Sequence, residues 1–135
     1  MCLMIYLASD KELPVISWDK NNSGFNIRKA DETNVVKKYF SKKNLYHVGS
    51  YLGCGCGFIY GENLDDEDEE VLRRKSFEDF ITYLKENIDD DGFEIYTSWA
   101  GDEWKEKEFE REIKLEEYVI PKSFSFREGE FIVVR

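Results

Sequence analysis

Residues 2–8 form an almost unbroken apolar run, the pattern of a strand buried on both faces. Residues 14–18 and 25–29 are shorter strand-like runs. Between them Asn21, Asn22, Ser23 and Gly24 supply turn chemistry. Residues 32–40 predict a short helix with Val36, Tyr39 and Phe40 on one side, and residues 45–52 predict a strand rich in aromatic and apolar side chains. The helical signal with the clearest period runs from about residue 67 to residue 88. There Phe77, Phe80, Ile81, Leu84 and Ile88 recur at spacings of three and four and make one apolar stripe. Ser76 with Asp79 fits a capping box, which would break or restart the helix, and Gly92 fits a C-terminal glycine.

Residues 93–99 predict the next strand. In residues 105–115 the glutamates Glu106, Glu108, Glu110 and Glu112 share one parity while Phe109, Ile113 and Leu115 share the other. That alternation predicts an edge strand with an acidic outer face, although the residue types favour helix. Residues 124–126 and 131–134 flank a turn at 127–130 and predict a closing hairpin. The expected fold is α+β: a mostly antiparallel sheet with one principal helix, about 67–88, packed on it, in a single domain spanning 1–135.

Composition limits the classes of function. With 41% apolar and 16% aromatic residues among 135, the chain carries enough apolar material for a core. Its net charge of -10 disfavours general binding to nucleic acid or anionic membranes, which needs clustered Lys and Arg. No apolar run approaches the roughly 20 residues that span a bilayer. The start lacks the basic segment and cleavage site of a signal peptide, so the expected location is cytoplasmic, where thiols stay reduced. Three cysteines, an odd number, also argue against a disulfide scaffold. The charge is concentrated: residues 62–94 alone carry a net -10, equal to the imbalance of the whole chain. The acidic segment 62–91 is therefore a candidate docking surface for a protein partner, or simply a solvated helix start favoured by the helix dipole.

The chemically unusual stretch is Gly53-Cys54-Gly55-Cys56-Gly57-Phe58. If it is extended, both thiols share one face and the glycines leave bare backbone on the other; a loop is the alternative. Three chemistries compete there. Cys54 and Cys56, with Cys2 or His47 completing a Cys3His set, suit zinc, although the pair is closer than the usual spacing and strand parity turns His47 away. A Cys54–Cys56 redox pair would be strained and labile, yet nothing nearby lowers a thiol pKa. A phosphate loop lacks the third glycine of the dinucleotide fingerprint and the Lys of a P-loop. Elsewhere, Cys2 would become an N-terminal nucleophile if Met1 were removed. Asn87, Asp89, Asp91 and Gly92 imitate the start of a calcium loop whose last position, Ser98, is wrong.

The run Leu45-Tyr46-His47-Val48-Gly49-Ser50 followed by the glycine–cysteine string resembles a family of small bacterial proteins with no established activity. The Met-Cys opening strand and the Phe-rich C-terminal hairpin extend the resemblance over most of the chain. It implies a free-standing bacterial cytoplasmic domain and adds no chemistry. The reading that follows is a non-catalytic binding or interaction module. It would use the acidic segment, or a ligand beside Gly53, Cys54, Gly55, Cys56 and Gly57, with no cofactor expected. The alternative is a cysteine-centred zinc or redox site at Cys54 and Cys56 with Cys2.

Overall fold

A computed structural model describes residues 2–21, 24–31, 34–58, 67–115 and 126–135. The first apolar run forms β1 (Leu3–Ser9), at the centre of a six-stranded sheet. The other strands are β2 (Asn26–Lys29), β3 (Asn44–Gly49), β4 (Phe93–Trp99), β5 (Phe109–Ile113) and β6 (Glu130–Val134). Their order is β2-β3-β1-β4-β6-β5, antiparallel except for the edge pair β5–β6. One long helix, α1 (Glu67–Asn87), lies on this sheet, so the fold is α+β as expected.

The apolar stripe of α1 explains its docking. Phe77, Phe80, Ile81 and Leu84 are buried against Ile5, Leu7, Val48, Ile95 and Ile132 of the sheet. The opposite face carries a second cluster, with Tyr6, Ala8, Leu45, Tyr96 and Phe131 packed against Val36, Tyr39 and Phe40. This is why β1 reads as continuously apolar: it is covered on both sides. Among the described residues no helix is long and apolar enough to cross a membrane.

The elements differ from the sequence pattern at particular places. Residues 14–18 make only a single bridge, Ile16 to Ile27, because Val15, Ile16 and Trp18 stay exposed beside β2. The predicted helix at 32–40 is a 3₁₀ turn, Val35–Tyr39, capped by the Asn34 side chain. Ser76 does not restart α1; it is buried inside a continuous helix. Gly92, with φ +68, belongs to the turn entering β4 rather than to the helix end. Asp89 accepts hydrogen bonds from the amides of Asp91 and Gly92, which gives the calcium-like sequence an ordinary turn role. β6 pairs with β4 and β5 rather than within a terminal hairpin, and residues 124–125 lie outside the described residues.

Candidate metal centre

β1 runs past the end of β3, and this places the site. β3 pairs with β1 from Asn44 up to Val48, opposite Ile5, while β1 continues to Leu3 beside β4. The chain leaves the sheet at Gly49 and folds back over the vacant edge of Leu3. The glycine–cysteine string there is not a strand: Gly55–Phe58 is a 3₁₀ turn. The alternation argument therefore does not apply, and the two thiols are gathered by a turn instead.

Ser50 organises this turn. Its hydroxyl donates to the Cys54 carbonyl at 2.6 Å and accepts from the amides of Leu52 and Gly57. Its own amide also donates to the Cys54 carbonyl. The glycines follow from the geometry. Gly53 holds a positive φ of 85 against the Trp18 indole, whose Nε1 donates to the Tyr51 carbonyl. A Cβ on Gly55 would lie 2.7 Å from the Leu3 carbonyl oxygen, and one on Gly57 would lie 2.2 Å from Ser50 Oγ. Close approach within the protein thus accounts for glycines that a strand reading leaves without a packing reason.

The loop is gripped from above and below. The buried Ser76 hydroxyl of α1 accepts from the Tyr51 amide, and Arg73 donates to the Cys56 carbonyl. Tyr51 donates its hydroxyl to Glu69, which also pairs with Arg73. Below, Phe58 is buried among Phe77, Phe80 and Phe126. The same helix positions neutralise part of the acidic segment, since Glu70 pairs with Arg74 and Asp79 with Lys75. Residues 62–66 of that segment lie outside the described residues.

Three thiols meet at this point. The sulfur atoms of Cys2, Cys54 and Cys56 all lie within 4.8 Å of one another, with Cys2 exposed and the other two half-buried. An ion about 2.3 Å from each sulfur would set them about 3.8 Å apart in a tetrahedron, so an inward shift of at most about 1 Å closes the set. The Leu3 amide already donates to Cys56 Sγ at 3.1 Å, the kind of outer hydrogen bond that orients a metal-bound thiolate. Burial pushes the Cys54 thiol up to about 11, with the neighbouring Cys56 and Cys2 adding to the rise. Ion-free Cys54 therefore holds its proton near neutral pH, which makes it a poor thiol nucleophile.

His47 stands outside this group. Its ring packs 4.9 Å from that of Tyr6, and its nitrogens do not join the sulfur set. Burial, and then the Arg28 charge, lower its pKa below the usual value. A phosphate cradle is not formed either, because the amides of Gly53 and Gly57 are spent on Ser50. The sequence could identify Cys54 and Cys56 as a pair. It held no signal for Ser50, Arg73 and Ser76, whose part in the site comes from tertiary contact. No family model matches the chain, and neither a curated protein nor a solved structure is significantly similar to it.

Proposed function

We propose that this domain is a metal-binding module that holds one soft ion, zinc in the first instance, through the thiolates of Cys2, Cys54 and Cys56. The observation that carries the reading is the convergence of all three cysteines of the chain on one point, from two segments far apart in sequence. Thiolate donors select zinc and monovalent copper over hard ions. The spacing suits a single ion, and the ion would pin the start of β1 to the 50–58 loop. The Leu3 and Arg73 hydrogen bonds support it by fixing the loop and offsetting the thiolate charge. A redox pair is disfavoured by the high pKa of Cys54.

The test is zinc titration against a chromophoric chelator, using wild type and the Cys54→Ser/Cys56→Ser double variant. Wild type is expected to take up one equivalent and the variant none, while circular dichroism of the two ion-free proteins agrees. At a hundredfold excess over Kd, zinc should stabilise wild type by about 2.7 kcal/mol, raising Tm by roughly 10 °C. Equal zinc uptake by the two proteins would overturn the reading.

A further inference from the structure

Beside the thiols, between the ends of β1, β2 and β3, lies a small cleft that opens to solvent. Its lining includes Gly53 and Cys54 of the loop and Met4, Arg28 and His47 of the strands. Cys54 therefore belongs both to the triad and to the lining of the cleft. Arg28 sits directly across from His47 in the β2–β3 pairing. Its side chain is exposed and has no ion-pair partner among the described residues. The Nδ1 atom of His47 is buried and has no hydrogen-bond partner among those residues. A cation and a histidine thus line the cleft that Cys54, a member of the three-sulfur set, also lines. Among the described residues no His, Asp or Glu completes that set.

Three sulfurs leave zinc one position short of its usual four, and an ion with an open position takes an outside ligand. Three thiolates on a divalent ion leave the centre with one net negative charge, so an anionic fourth ligand would need a counter-charge nearby. Arg28 supplies one, and the limited space favours a ligand of a few heavy atoms.

We propose that the metal centre is open and that the cleft beside it receives a small anion. The anion completes the coordination of the ion and is held electrostatically by Arg28, with His47 as its hydrogen-bonding neighbour. This rests on the three-thiolate reading above and deepens it: the domain would present an ion to an exchangeable ligand, as catalytic and transfer centres do, rather than use it only as a staple.

The test replaces zinc with Co(II), whose visible spectrum reports its ligands, and titrates sodium azide as the anion at constant ionic strength. Wild type is expected to show a saturable change on azide addition. Arg28→Gln, at an exposed edge position outside the thiol set, is expected to bind azide roughly fivefold more weakly. A Co(II) spectrum that ignores azide would overturn the open-centre inference while leaving the thiolate site intact, as would a fourth protein ligand. Equal azide affinity in wild type and Arg28→Gln would overturn the role of the cleft. Failure of wild type to bind Co(II) at all would remove the three-thiolate reading itself, and this inference with it.

Discussion

At Gly57 a single hydrogen, where any other residue has a carbon, allows the cysteine turn to close. A methyl group there would sit 2.2 Å from Ser50 Oγ, the atom that ties together Leu52, Cys54 and Gly57. Ser50 is fully buried and lacks room to retreat. Gly57→Ala should therefore destabilise the protein by about 1–3 kcal/mol and weaken zinc binding with it. Gly24→Ala is the control, since nothing lies within 4 Å of its added carbon, and should stay within about 0.5 kcal/mol of wild type. Chemical denaturation of the three ion-free proteins measures this. The sequence marked these glycines as unusual but not their separate reasons. Gly53 needs its positive φ, whereas Gly55 and Gly57 need space beside Leu3 and Ser50. Those neighbours are set by the fold, and no local pattern encodes them.

Between elements, the contact that matters most to the site is that of α1 with the 50–58 loop. The helix itself was legible, because Phe77, Phe80, Ile81 and Leu84 repeat at its period and all four are buried. The role of Ser76 was not. Ser76 and Asp79 match a cap by local sequence, yet Ser76 lies mid-helix and turns its hydroxyl toward the Tyr51 amide. Ser76→Ala would leave that buried amide without its acceptor, at an expected cost of about 1–3 kcal/mol. The urea midpoint should fall with the slope unchanged, because the helix persists. An unchanged midpoint would remove Ser76 from the account of how the loop is held. The strand expected at 14–18 failed for a comparable reason. Its apolar side chains are not all sheet-facing, and Trp18 instead packs on Gly53 and donates to the Tyr51 carbonyl.

For the whole molecule, the two-sided core and the thiol cluster are separate. The sheet is buried by α1 on one face and by residues around Val36 and Phe40 on the other, whereas the thiols collect at the end where β1 outruns β3. An ion-free protein should accordingly remain folded, unlike small zinc domains that fold only with metal. The class of fold was readable, since alternation and helical period are local signals. The strand order was not: it joins β1 to β4 and β6 to β5 across long stretches of chain. The meeting of Cys2 with Cys54 and Cys56 depends on that order, so the sequence could name the three donors without showing that they meet.

The most direct test of the central claim is X-ray absorption at the zinc edge of stoichiometrically loaded protein. Three thiolates with one outside ligand predict three sulfur scatterers at about 2.3 Å and one lighter atom near 2.0 Å. A first shell holding fewer than three sulfurs would contradict the convergence of Cys2, Cys54 and Cys56 on a single ion.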